Sequence, residues 1–173
     1  MCLYIRKNGG GQKMLVDKEK ILLIADDNPG EIKPTLVLKQ ESGRPLDPDY
    51  VLDLLNWNSV IHIGLALQCE IIFYLLIKTL SIKYDRKPED KFYRWPSVTL
   101  KEFEFVMNDW IGKSRYFGYV GNDLAYWLDN LKKRGYLRIH KHDGVVFLAF
   151  SKEAVFLILQ AVGLNTPIEL ISY

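Results

Sequence analysis

The clearest hydrophobic pattern lies in the C-terminal half of the chain, where apolar residues recur at helical spacing. Thr99, with Glu102 three residues later, is a capping box that begins a helix. Four apolar residues then fall on one stripe of that helix: Phe103, Val106, Met107 and Trp110. A second helix, 122–134, carries its leucines on one side and ends in basic residues and Gly135, which suit a helix C-terminus. The pattern therefore predicts two consecutive amphipathic helices.

Two short strands and a final helix are predicted next. The segments 136–140 and 145–150 are β-prone, and the loop between them contains Asp143-Gly144, a dipeptide typical of tight hairpin turns. Ser151 is placed to cap a strongly apolar helix over 152–162. The order from residue 99 onward is therefore helix, helix, hairpin, helix.

The middle of the chain is its most apolar part. No charge occurs over 54–69, and 71–77 is apolar again. We expect a long apolar helix within 46–84, which begins near Asp47-Pro48 and could break near residues 56–58. A transmembrane interpretation of 54–77 is disfavoured, because the carboxylate of Glu70 near its centre costs roughly 2.5–3.5 kcal/mol on insertion scales.

Glu70 itself needs an explanation, because a carboxylate on an otherwise apolar helix is costly to bury. We expect it to be paired, to lie at an edge of the fold or to be protonated. Tyr74, four residues later, and Lys78, on the next turn, are both candidate partners.

The first 45 residues instead combine short β-prone runs with turn signals. The predicted strands are Met14–Val16, Ile21–Ala25 and Thr35–Lys39. The predicted domain organisation is a β-rich head (1–45), an apolar helical segment (46–84), a solvated linker (85–98) and a module with a C-terminal helix (99–173). The fold class expected from these elements is α+β.

Charge supports a nucleic-acid partner only locally. The 23 Lys and Arg against 21 Asp and Glu give a net charge of +2, so binding to a polyanion requires a local concentration of charge. Between Asn130 and His142 there is no carboxylate, and the cations there are Lys132, Lys133, Arg134, Arg138 and Lys141. The two cysteines form no disulfide framework and the first residues resemble no secretory signal, which favours an intracellular, cytoplasmic location.

No combination of residues points to an enzyme. His140 and His142 share one strand face but lack a third metal ligand, and Cys69 has no recognisable catalytic context. The glycines at 9–11 lack the Gly-Lys-Ser/Thr ending of a phosphate-binding loop. We therefore expect no catalytic residue, no cofactor and no bound metal.

The order of elements resembles the winged helix-turn-helix family over roughly residues 70–162. The likeness is carried by Leu128-x-x-Leu131-Lys132-Lys133-Arg134-Gly135-Tyr136-Leu137, by the strands that follow and by Asp143-Gly144 as the wing tip. It implies a C-terminal winged helix-turn-helix with a long apolar helix and a small N-terminal β-rich head. In that family the equivalent of helix 122–134 reads double-stranded DNA, and the wing, here 138–146, contacts phosphates.

The resemblance implies a transcription regulator and a set of DNA contacts. The residues expected to face the bases are Asn122, Tyr126, Asn130 and Lys133, and those expected near phosphates or on the wing are Lys113, Ser114, Arg115, Arg134, Arg138, His140, Lys141 and His142. Against this, Asp123 and Asp129 lie on or beside the same face, and Asn122 could cap the helix instead. The basic run 132–134 would also complement a helix dipole without any partner.

The alternative is a winged helix that docks onto another protein or assembly without direct DNA binding. We also expect a homodimer, because Val60–Leu80 and Ala154–Val162 supply more apolar surface than one small module would cover. The N-terminal head could then recruit a protein partner.

Overall fold

Helices and strands are interspersed along the chain, which has an α+β fold, as the sequence predicts. The structure, a computed structural model, describes residues 16–27, 35–38, 47–54, 67–85, 94–95, 98–110, 124–164 and 168–171. The helices in these ranges are α1 (Lys18–Ile24), α2 (Pro48–Leu54), α3 (Leu67–Asp85), α4 (Leu100–Trp110), α5 (Leu124–Lys133) and α6 (Lys152–Ala161). The strands are β1 (Asp26–Asp27), β2 (Thr35–Leu38), β3 (Arg94–Trp95), β4 (Val98–Thr99), β5 (Leu137–His142), β6 (Val145–Phe150) and β7 (Ile168–Ile171).

Two sheets organise these strands. The larger sheet has the order β1-β5-β6-β4, in which β5 and β6 form an antiparallel hairpin, β4 runs antiparallel to β6 and β1 runs parallel to β5. The smaller sheet has the order β3-β2-β7, with β2 antiparallel to both neighbours. Strand pairing through β1 and β2 thus joins the N-terminal region to the C-terminal half of the chain.

The helix α3 is the central element of the core. It contacts α2, α4, α5 and β4, and its residues from 69 to 81 are buried except for Tyr74 and Lys78, which are partly exposed. Phe73 is fully buried, and its ring packs edge-on against Phe150 with 5.5 Å between centroids. A single chain therefore buries the described apolar residues of α3. The apolar surface of this helix is then no longer a reason to expect a homodimer. The dimer itself stays a prediction.

Polar groups on α3 are buried with it. Glu70 is only 5% exposed, which excludes the edge position among the three alternatives given for it. Thr79 Oγ1 donates a hydrogen bond to the carbonyl of Leu75 at 2.7 Å, and the Ser81 hydroxyl donates to the carboxylate of Asp49 on α2. Among the described residues, no helix has both the length and the apolar character needed to cross a membrane.

Local signals position the helices that follow. The capping box is confirmed, since the Glu102 N–H donates to Thr99 Oγ1 at 3.1 Å and the Thr99 N–H donates to Glu102 Oε2 at 2.8 Å. Ser151 likewise caps α6 by accepting from the Ala154 N–H at 3.2 Å. The predicted helix start at Asp47-Pro48 is also confirmed, because α2 begins at Pro48.

Two turns with positive φ angles set the course of the chain before the hairpin and at its tip. At the end of α5, Gly135 has φ 78°, and the N–H groups of Gly135 and Tyr136 donate to the carbonyls of Lys132 and Leu131. This pair of hydrogen bonds is a Schellman motif, which ends the helix and lets β5 begin within a few residues. At the hairpin tip, Asp143 and Gly144 have φ values of 49° and 75°, the two positive values that a tight type I′ turn requires. The predicted hairpin is therefore confirmed.

The predicted strand Ile21–Ala25 is wrong, because its residues form the end of the helix α1 and its C-cap. Asp17 caps this helix by accepting from the Lys20 N–H at 3.2 Å, and the Ile21 side chain is fully buried. A five-residue apolar run fits either a strand or a helix, and here the cap and the burial favour the helix. The described part of residues 1–45 therefore contains a helix as well as strands, and the predicted strand Thr35–Lys39 is confirmed as β2.

The predicted solvated linker is wrong at its C-terminal end. Arg94–Trp95 pairs with β2, and Val98–Thr99 pairs with β6, so both segments belong to sheets. The predicted break at residues 56–58, the first part of Val60–Leu80 and residues 14–15 of the first predicted strand lie outside the described residues. The helices described on either side of that break are α2 and α3.

Candidate nucleic-acid interface

The outward face of α5 is the centre of the candidate interface. Leu124, Leu128 and Leu131 point into the core and are buried. Residues on the opposite side of a helix lie about 180° from these positions, and Tyr126 there is 60% exposed with its ring edge-on to Trp127. The helix therefore presents a polar, partly aromatic surface, as the sequence predicts.

Charge on this outward face is partly paired. Lys133 is exposed, and its Nζ lies 2.6 Å from Asp129 Oδ2 one turn earlier. The hydrogen bond and charge of Asp129 raise the pKa of Lys133 above its ordinary value, so the lysine stays protonated. Asn130 beside them is half-buried. A phosphate that approaches Lys133 must compete with a carboxylate that is already bound.

The N-terminal segment α1–β1 lies along one flank of α5. Lys132 Nζ donates to the carbonyl of Ile24 at 2.5 Å and to Asp26 Oδ1 at 2.8 Å. Lys141 Nζ lies 3.3 Å from Asp27 Oδ1, beside the parallel pairing of β1 with β5. We call the five cations between Asn130 and His142 the basic cluster: Lys132, Lys133, Arg134, Arg138 and Lys141. Carboxylates from the N-terminal region therefore pair with two members of this cluster, Lys132 and Lys141, and Lys141 is a predicted phosphate contact.

Two arginines differ from these lysines. Arg134 follows α5 directly, and Arg138 lies on β5 just beyond the Gly135 turn; both are exposed. In the part of the chain that the structure describes, neither guanidinium group has a carboxylate partner. Among the described residues, they are the cations of residues 130–142 that no carboxylate pairs with.

The prediction that His140 contacts DNA is wrong, because the side chain of this residue is only 7% exposed. The imidazole stacks on Phe147, its cross-strand neighbour, with 5.3 Å between centroids and 10° between planes. Burial, followed by the charge of Arg138, lowers the pKa of His140, and Asp26 opposes this shift only in part. Its Nε2 is buried without a hydrogen-bond partner in the described structure. The ring is therefore kept neutral inside the fold.

His142 remains at the surface near the hairpin tip. Its Nε2 lies 3.2 Å from Asp143 Oδ2, and its side chain is about half-exposed. The described residues contain no group of three or more His, Cys, Asp or Glu side chains placed to hold a metal ion. His142 can thus donate to a phosphate only in competition with the adjacent carboxylate.

The other predicted contacts cannot be placed in this arrangement. Lys113, Ser114, Arg115 and Asn122 lie outside the described residues, as does Asp123. Of the predicted set, the structure brings Tyr126, Asn130, Lys133, Arg134, Arg138, Lys141 and His142 to α5 and the hairpin beside it.

Sequence analysis missed the carboxylates that the fold brings to this surface. Asp26 and Lys132 are 106 residues apart in sequence, and no local pattern connects them. The only sequence signal was the pair of adjacent aspartates itself. With the carboxylates of residues 26, 27, 129 and 143 set against the five cations, the net charge of the described surface is +1.

No protein-family model, curated protein or solved structure matches this chain.

Proposed function

We propose that the chain is a winged helix-turn-helix protein that binds double-stranded DNA and regulates transcription. The order α3, β4, α4, α5, β5, β6 supports this proposal, as does the pairing of the short strand β4 with the second strand of the hairpin. In such a module α5 enters the major groove and the hairpin lies along the adjacent backbone. The ten residues of α5 give a helix about 15 Å long, enough to cross a groove about 12 Å wide.

The observation that carries this proposal is the pair of exposed arginines at the junction of α5 and β5, neither of which has a carboxylate partner among the described residues. Arg134 ends the proposed reading helix, and Arg138 begins the exposed face of the hairpin. Guanidinium groups bind phosphate oxygens through two parallel hydrogen bonds, which fixes orientation as well as adding affinity. Two such groups beside one helix could set the register of that helix on the DNA backbone.

The outward face of α5 supplies the groups for base contacts. The amide of Asn130 can make a bidentate contact with adenine, and the hydroxyl of Tyr126 can donate or accept a hydrogen bond. On binding, Lys133 would leave Asp129 and contact a phosphate or a base edge instead. The carboxylate of Asp129, left without its partner, would repel the DNA phosphates. We therefore expect modest affinity with strong dependence on salt.

Binding of labelled duplexes, measured by anisotropy at about 50–200 mM salt, tests the proposal. Arg134→Ala and Arg138→Ala should each weaken binding about tenfold at the lower salt concentration and reduce the salt slope by about 0.9, the contribution of one phosphate contact. Lys152→Ala is the matched control, because Lys152 is an exposed cation on α6 that packs over Phe156. Absence of binding at low salt, or an equal loss in the control, would refute the proposal.

Docking onto another protein is the second candidate, and the near-neutral charge of the surface favours it. An exposed tyrosine beside arginines is a composition common in protein interfaces. Here Tyr126 is the exposed aromatic residue and Arg134 and Arg138 are the arginines. On this function no duplex binds at low salt, and Tyr126→Ala weakens capture of a protein partner while Lys152→Ala does not.

A further inference from the structure

The aspartates of β1 occupy a place that the basic cluster would otherwise offer to phosphate. Asp26 contacts Lys132 at 2.8 Å, and Asp27 contacts Lys141 at 3.3 Å. Both lysines belong to the stretch between Asn130 and His142, which has five cations and no carboxylate. A carboxylate and a phosphate oxygen compete for the same ammonium group, because both are anionic acceptors.

The backbone of the N-terminal segment holds these carboxylates in position. Residues 26 and 27 pair in parallel with His140 and Lys141 of β5, and the fully buried Ile21 anchors α1 in the core. Lys132 also donates to the carbonyl of Ile24, near the C-terminus of α1. The segment is therefore attached by burial and strand pairing, independently of its two carboxylates.

The exposure of the two aspartates distinguishes a regulatory role from a stabilising one. The side chains of Asp26 and Asp27 are 71% and 82% exposed. Ion pairs this open to solvent add little to stability, because water and salt screen them. Their effect on an approaching polyanion is larger, since they cancel two of the five local cations.

We infer that Asp26 and Asp27 form an autoinhibitory contact, an internal substitute for phosphate that occupies Lys132 and Lys141 and limits the affinity of the surface for DNA. This inference rests on the proposed DNA binding. In free protein the two lysines are held by the aspartates; on tight binding they must be transferred to phosphates. Neutralising the aspartates removes that competition without detaching α1–β1.

The test compares two double variants of the full chain that carry the same change in charge. Asp26→Asn/Asp27→Asn should bind duplex at least about tenfold more tightly at about 50 mM salt, with a salt slope steeper by about 1.8, because two phosphate contacts are gained. The control, Asp53→Asn/Glu153→Gln, neutralises exposed carboxylates on α2 and α6. It should gain less than twofold. Both should keep the melting temperature of the wild type.

A single pair provides a second, less perturbing test. Asp27→Asn should steepen the salt slope by about 0.9, and adding Lys141→Gln should cancel that gain, because Lys141 is the cation released.

The outcomes separate this inference from the proposed function. Wild-type binding with no gain in either aspartate variant, or equal gains in the variant and its control, would overturn the autoinhibitory contact and leave DNA binding intact. Failure of the wild type, the variants and the control alike to bind at low salt would overturn the proposed function.

Discussion

Replacing Ile21 by alanine should destabilise the protein strongly, although the residue lies in a short helix near the N-terminus. Its side chain is fully buried among the core residues, whereas Leu23, two positions later in the same helix, is 85% exposed. Truncation of a fully buried Ile or Leu to Ala costs about 2–5 kcal/mol of unfolding free energy, from lost transfer energy and the cavity that remains. An exposed substitution changes it by less than about 0.5 kcal/mol.

The assay is equilibrium urea denaturation followed by circular dichroism, with thermal melts as a second measure. Ile21→Ala should lower the unfolding free energy by about 3 kcal/mol, which for a chain of this size lowers the melting temperature by about 6–12 °C. Leu23→Ala is the matched control, because it removes a side chain of the same size from an exposed position of the same helix. Equal, small effects of the two substitutions would refute the packing of α1 into the core and, with it, the position of β1 beside β5.

Further predictions follow from single contacts. Thr99→Ala removes one half of the capping box and should cost about 1 kcal/mol of unfolding free energy, measured by urea denaturation, while the neighbouring exposed substitution Lys101→Ala should cost little. Gly135→Ala should cost about 1 kcal/mol or more, because its φ of 78° strains any side chain; an unchanged melting temperature would contradict this. Burial lowers the pKa of His140, so on acidification the unfolded chain binds a proton at this site before the folded chain does. The stability contributed by the neutral ring should therefore be present above about pH 6.5 and be lost as the pH falls. His140→Phe should reduce this pH dependence, and a melting temperature that declines as steeply with acid in the variant would count against the buried neutral ring.

The elements that sequence analysis predicted correctly have local causes. Thr99 and Glu102 cap a helix through bonds within four residues, and Asp143-Gly144 supplies the two positive φ angles of its own turn. Such signals depend little on the rest of the fold. The start of α2, the strand β2 and the hairpin were found for the same reason.

The elements it missed depend on distant parts of the chain. Ile21 lies in a helix because a cap and the core favour it, although its neighbours are β-prone. His140 was expected on the wing because of the family resemblance. In the structure β1 pairs along the open edge of β5, which makes β5 an interior strand, and the His140 ring stacks on Phe147. The contact of Asp26 with Lys132 could not be predicted, because it requires knowing that β1 lies beside β5.

The salt dependence of duplex binding by the full chain tests the central claim most directly. The wild type should lose about tenfold or more in affinity between about 50 and 200 mM salt, as expected for at least two phosphate contacts, and Arg134→Ala/Arg138→Ala should flatten that dependence by about 1.8 in slope. Affinity that does not change with salt, or a double variant that binds like the wild type, would contradict a DNA interface at the junction of α5 and β5.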